Sequence, residues 1–560
     1  MAGVVIKGAL MASFALCVLA TPLTAAAATA TPPAVAASPT PSPSPAMSPA
    51  SAPSPKASEL SAPPAPAPSG EAVPVNAAND DLVKRGYYLM RAADCMSCHT
   101  NPKGGVALAG GRKMDTPFGP IYPPNITPDK ATGIGAYSDD DFWRVLHEGI
   151  RKDGAYLYPV MPFPWYTNMT RQDAMAIKAY LFSLKPIHAE NKPPGFPFPF
   201  NVRESLLTWR TLFFKQGKPP QTAPMDGVAR GEYLVEALGH CGECHNKHKL
   251  LGNSIWDGKF QGGEIEGWYA PNITSDGRQG VGAWSVDQIA RFLKAGIAPH
   301  SGVALGPMAE TIEYSLRYLK DDDLKAMAEY IKSIKPKETY ANSAGALSKP
   351  GAPGETLFQN HCASCHGLTG EGVKGHVPAL AHNGAVQARE PDDVIRVVLG
   401  GLTPQKGLGP MPAIGADLSD ADVARIVDYV RNNFGNAAPA ATKPSKVAEL
   451  RAKTRTPMLA ASRGDCDTPQ TSQVKALVAS GEIDKLAKGD PVKLLPGIDE
   501  LATKLAPANP LQVDAYVTDL TGAYCQALFT GAATAEPARA DKLGRFAALA
   551  YSRMETKIGQ

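Results

Sequence analysis

The residues best suited to chemistry are three copies of one short run: Cys95-Met96-Ser97-Cys98-His99, Cys241-Gly242-Glu243-Cys244-His245 and Cys362-Ala363-Ser364-Cys365-His366. Two thiols three residues apart on a helical turn can reach the vinyl groups along one side of a porphyrin and form thioethers with them. The histidine after the second thiol then lies beneath the iron and offers it a nitrogen. One isolated Cys-x-x-Cys could instead be a dithiol redox pair or half of a zinc site. Three copies, each followed by histidine and each opening a domain-sized repeat, point to three covalently bound haem c groups.

A sixth iron ligand must come from elsewhere in each repeat. Met161 in Tyr158-Pro159-Val160-Met161-Pro162, Met308 in Gly306-Pro307-Met308 and Met411 in Gly409-Pro410-Met411-Pro412 each follow a motif by a domain-scale interval. A thioether sulfur is soft and neutral, so it favours Fe(II) and raises the potential relative to a second histidine. The neighbouring prolines are expected to hold an extended backbone that presents the side chain to the iron. His147, His300 and His376 are rival distal ligands, with His300, shortly before Met308, the strongest. Met169, Met175 and Met327, in or beside amphipathic helices, read as core packing. With every iron six-coordinate, no position stays open for substrate, peroxide or oxygen. The expected class is electron transfer, not catalysis by this chain alone.

The elements that must position these residues recur with them. Each unit opens on a helix carrying a glycine and an aromatic (Gly86-Tyr87-Tyr88, Gly231-Glu232-Tyr233, Gly354-Glu355-Thr356-Leu357-Phe358). It closes on an amphipathic helix: Asp173 to Leu184, Asp321 to Ile334 or Ser419 to Phe434. A small glycine on the first helix lets the last one cross it closely. The first two units are the more alike. Pro124-Asn125-Ile126-Thr127 recurs as Pro271-Asn272-Ile273-Thr274, and each is followed by a glycine-rich run ending in Tyr137-Ser138 or Trp284-Ser285. These asparagines are expected to build a tight turn beneath the haem edge, with a propionate as a further partner.

The expected fold is mainly α, with three tandem haem domains over residues 78–190, 226–338 and 346–438 and an inter-domain segment at 191–225. A helical extension occupies 440–560. Residues 1–28 read as a signal peptide, including Cys17, with a short apolar core that cannot span a bilayer. Residues 29–77, rich in Ala, Pro and Ser, read as a disordered tether. Export implies the periplasm. A formal net charge of +3 gives no basic stripe for nucleic acid. No later stretch is apolar enough to cross a membrane, so attachment there would be peripheral.

These residues resemble the triple-haem cytochrome c subunit of membrane-bound dehydrogenases of the acetic-acid-bacteria type. The matching runs are Asn125-Ile126-Thr127-Pro128-Asp129, Thr132-Gly133-Ile134-Gly135, Leu157 to Pro162, Phe198-Pro199-Phe200-Asn201-Val202-Arg203, Trp209 to Phe214 and Gly306-Pro307-Met308-Ala309-Glu310. The resemblance covers about residues 80 to 436. It implies three cytochrome c domains and a large catalytic partner (quinoprotein, flavoprotein or molybdoprotein) that oxidises an alcohol, aldehyde or sugar. Electrons would pass to ubiquinone at the outer face of the cytoplasmic membrane. Rival readings are a multihaem peroxidase or sulfur-compound dehydrogenase, and the cytochrome module of a terminal oxidase. Beyond residue 440, Cys466 and Cys525 are the remaining cysteines of the exported chain and are expected to form a disulfide.

Overall fold

The computed structural model describes residues 81–560 apart from 338–350, 403–410, 455–465, 530–541 and several shorter runs. The expected leader and tether, and the rival ligands His300 and His376, lie outside the described residues.

The first unit runs from α1 (Asp81–Ala92) through α2 (Cys95–His99), the ribbon β1–β2 (Met114–Thr116, Gly119–Ile121), α3 (Asp139–Glu148) and α4 (Phe163–Tyr166) to α5 (Arg171–Ser183). A short exposed helix, α6 (Leu206–Phe213), follows. The second unit repeats the order: α7 (Gly227–Glu232), continued by a wider turn to Leu238, α8 (Gly242–His245), β3–β4 (Gly263–Ile265, Trp268–Ala270), α9 (Val286–Ala295), α10 (Pro307–Tyr314) and α11 (Asp321–Ser333). The third is shorter: α12 (Glu355–His361), α13 (Ala363–His366), α14 (Gly384–Gln387), α15 (Asp392–Gly400) and α16 (Asp420–Arg431).

The glycine that opens each unit sets the helix crossing. A Cβ on Gly86 would lie 1.9 Å from the Ala176 carbonyl oxygen, one on Gly231 1.9 Å from that of Ala326, and one on Gly354 2.3 Å from that of Arg425. In all three the next neighbour is the Cβ of a tyrosine on the closing helix: Tyr180, Tyr330 or Tyr429. The glycine-rich run of the first two units ends in a helix cap. Ser138 and Ser285 make capping boxes with Asp141 and Gln288 and start α3 and α9.

Units one and two share one core, in which Leu89, Met90, Trp165, Tyr166, Leu234, Leu238, Met327 and Ile331 are buried together. Their closing helices are tied reciprocally. Arg85 pairs with Asp173 inside the first unit, and Arg230 with Asp323 inside the second. Tyr88 then donates across to Asp323, while Tyr233 donates across to Asp173. Gly86 and Gly231 are each followed two positions later by one of these tyrosines, so the exchange has the form of a two-fold interface.

The C-terminal extension divides. Its first helix, α17 (Pro444–Lys453), packs Val447 and Leu450 against Ile395 and Val398 of the third unit, and Arg451 bonds Asp420 and the Leu418 carbonyl. Helices over Ser472–Ala479, Glu482–Lys488, Leu494–Leu505 and Pro510–Phe529 build a further core around Val474, Ile483, Leu501 and Leu520, which also takes in Ala413 of the third unit. Cys466 and Cys525 are joined there, 59 residues apart in sequence. Among the described residues no helix is long and apolar enough to cross a membrane.

Candidate functional site

Each Cys-x-x-Cys-His lies on a short helix entered sharply from the one before. Asp94 and His240, the residues ahead of the first two motifs, both take left-handed backbone angles (φ 50° and 37°). The six cysteines carry no disulfide. Burial pushes Cys95, Cys98 and Cys241 up to about 12 and Cys362 to about 11. That is the reverse of the lowered pKa a reactive dithiol needs.

The three histidines are held alike. Nδ1 of His99 donates to the Pro124 carbonyl at 2.7 Å, that of His245 to Pro271 at 2.6 Å and that of His366 to Pro378 at 3.2 Å. A carbonyl can only accept, so each ring carries its proton on Nδ1 and keeps Nε2 as the free donor to a metal. Burial lowers all three imidazoles, keeping them neutral as ligands must be. These proline carbonyls were missed from the sequence. Their signal was the repeated Pro-Asn-Ile-Thr; the third unit lacks that run and reaches the same bond from a shorter loop.

In the third unit a cleft brings Cys362, His366 and Met411 together, walled by Phe358, Val394, Val398 and Val430 and by Val303 and Leu305 of the second unit. Apolar walls, the Cys362 thiol, a neutral imidazole and a thioether line the cleft, and the second thiol, Cys365, lies at the exposed edge of the same helical turn; together they are the donor set that covalent haem requires. The residues fit the group. Met161 and Met308 are half-buried against the shared core of the first two units. Met161 closes a turn from Tyr158 just before α4, and Met411 pairs in extended form with Leu402. Met308 differs from the expected extended setting: Pro307 opens α10, and Met308 lies in its first turn, because proline is well tolerated where no helical N–H is needed. His147 is buried with Nδ1 on the Thr167 carbonyl and its ring stacked on Trp143.

Asn125 needs a correction. Its Oδ1 accepts from the Thr127 backbone and hydroxyl, and its Nδ2 donates to Thr132 and the Ile187 carbonyl. The tight turn uses all four positions and leaves none for a propionate. In Asn272 the Oδ1 accepts from Thr274, while Nδ2 is buried with no partner among the described residues.

The first two sites abut through the helix that follows Met161 and the helix that carries Met308 in its first turn. Trp165, fully buried, covers Gly242 so closely that a Cβ there would lie 2.2 Å from the indole, and its N–H donates to Glu243. In the opposite direction Thr311 of α10 donates to Asp94, and Glu310 accepts from Arg112, which also binds the Ser97 carbonyl. Burial lifts Asp94 and Glu243 to about 7.

A family model for cytochrome c matches residues 83–185 and 351–434. Over 400 residues the chain is 40% identical to the gluconate 2-dehydrogenase cytochrome c subunit of Pantoea cypripedii, covering 67% of this chain and 90% of that one. It is 37% identical over 409 residues to the fructose dehydrogenase cytochrome subunit of Gluconobacter japonicus, covering 67% and 84%. It is also 37% identical over 398 residues to the cytochrome c subunit of the quinone alcohol dehydrogenase of Gluconobacter oxydans, covering 67% and 83%. With this identity over most of the length of such relatives, the chain belongs to the family of cytochrome c subunits of dehydrogenase complexes.

Proposed function

We propose that this chain relays electrons through three covalently bound haem c groups, from a catalytic dehydrogenase subunit to ubiquinone at the periplasmic face of the cytoplasmic membrane. The observation that carries three groups is the identical setting of His99, His245 and His366, each with Nδ1 on a proline carbonyl and each behind a free thiol pair. Cys95, Cys98, His99 and Met161 would hold the first; Cys241, Cys244, His245 and Met308 the second; Cys362, Cys365, His366 and Met411 the third. Bound haem c supplies reversible one-electron carriage. The protein's part is to fix the imidazole tautomer, present a neutral sulfur opposite it and keep water from the iron with buried apolar walls. The relatives' names support a sugar, sugar acid or alcohol as the substrate of the partner, and the quinone alcohol dehydrogenase supports quinone as acceptor.

The test is purification from membranes in mild detergent. Three haems per chain by alkaline pyridine spectrum, a stoichiometric dehydrogenase subunit, and haem reduction by its substrate that a ubiquinone analogue reverses are expected. Two haems per chain would remove the third site. Carbon monoxide binding by the native reduced protein would instead favour a catalytic haem.

A further inference from the structure

Most of the exposed large apolar side chains of the described residues fall in two segments. Of fifteen, nine fall within residues 198–225 and 250–256. Helix α6 turns Leu206 inward and leaves Leu207, Thr208, Thr211 and Leu212 exposed, a helix face with no charge. Leu207 is 54% and Leu212 65% exposed. Beside it stands the tip of the loop after the second motif, where Leu250 is 92% exposed. The two are joined by the Trp209 indole, which donates to the Leu251 carbonyl at 3.0 Å. Phe118, its ring tilted against that of Phe200, also lies against Gly252, so the segment beside the ribbon of the first unit borders the same surface.

The charges within these two segments are mostly positive. Residues 203–218 and 247–251 contain Arg203, Arg210, Lys215, Lys218, Lys247 and Lys249, against Glu204 alone. The four lysines are exposed, and among the described residues none pairs with a carboxylate. The leucines are largely exposed, Leu250 almost completely so. Exposed leucines among lysines suit insertion among lipid headgroups, with the cations on anionic lipid.

We propose that α6 and the 247–251 loop form the face by which this protein lies on an anionic lipid membrane. This rests on the membrane location in the proposed function and adds the surface that makes it. Because no described helix can cross a bilayer, such a face is the form that attachment through the described chain would take.

The haem-loaded full-length protein, without its dehydrogenase, is floated with vesicles of phosphatidylcholine alone or mixed equally with phosphatidylglycerol. Stronger binding to the mixed vesicles, weakened by salt, is expected. Leu207→Glu with Leu212→Glu, and separately Leu250→Glu, should each lower binding by about tenfold or more. Lys215→Glu with Lys218→Glu should lower it by about tenfold on anionic vesicles only. Equal flotation of wild type and variants, or none by wild type, overturns the proposal. So does a Leu207→Glu, Leu212→Glu protein that floats normally but no longer co-purifies with a dehydrogenase, which would make the face a protein interface. Flotation is read without the partner, so failure of the dehydrogenase reading would leave this result intact.

Discussion

The smallest unit of the design is a backbone carbonyl. Pro124, Pro271 and Pro378 each fix one imidazole, and proline at that point leaves the carbonyl free while removing a donor that would need its own partner. A second single-residue feature lies where the third unit meets the second. Asp393, in the first turn of α15, accepts from the Tyr269 backbone N–H at 2.8 Å and is 5% exposed. Burial raises its pKa to about 7, above the roughly 3.9 of an unfolded aspartate. Between those values the folded state holds a proton that the unfolded state has lost, so stability falls as pH rises from about 4 to about 7. Asp393→Asn keeps the acceptor and removes the titration. Denaturant unfolding across that range should lose about 2–4 kcal/mol more stability in the wild type than in the variant.

At the scale of elements, the helix crossing is what repeats. With the Gly86 and Gly231 backbones pressed on facing carbonyls, the first and last helices of a unit approach closely, and the aromatics fill the crossing. Gly86→Ala or Gly231→Ala must push the helices apart and should cost about 2–3 kcal/mol or more in thermal or denaturant unfolding. Gly277→Ala, where a Cβ would meet nothing within 4 Å, is the matching control and should be nearly neutral. Helix starts are local by comparison. Ser138, Thr170, Ser285 and Ser419 each cap the following helix with their own hydroxyl, which needs no distant partner.

At the scale of the molecule, units one and two behave as a closed pair, because each supplies the tyrosine that completes the other's Arg–Asp bridge. Tyr88→Phe and Tyr233→Phe should each cost about 1–2 kcal/mol, since the lost bond ends on a carboxylate. The double variant should separate the single unfolding transition of the pair into two, as read by circular dichroism. The core of the C-terminal helices takes in Ala413 of the third unit and no residue of units one and two, so changes there should leave the first pair unaffected. Cys466→Ser with Cys525→Ser should destabilise that region by about 2–5 kcal/mol while the haem content per chain stays the same. A fall in haem content would show that the extension supports the third unit's pocket.

What could be read along the chain was what is encoded locally. Covalent attachment needs two thiols and a histidine on one helical turn, so Cys95-to-His99 and its two repeats were legible without a fold. So was the mainly helical architecture, because glycine, aromatics and amphipathic spacing recur in order around each motif, and so was the family. The sequence could not supply the partners across distance. That the Asn125 amide is used up partly by Ile187, and that α17 packs with the third unit, depend on chain segments tens of residues apart. The reciprocal tyrosines were visible as residues beside each glycine, but only the packed pair showed them reaching the opposite unit. Hydrogen bonds and burial between distant segments carry no periodic signal in the sequence, so the tertiary structure alone decided how the repeated units face one another.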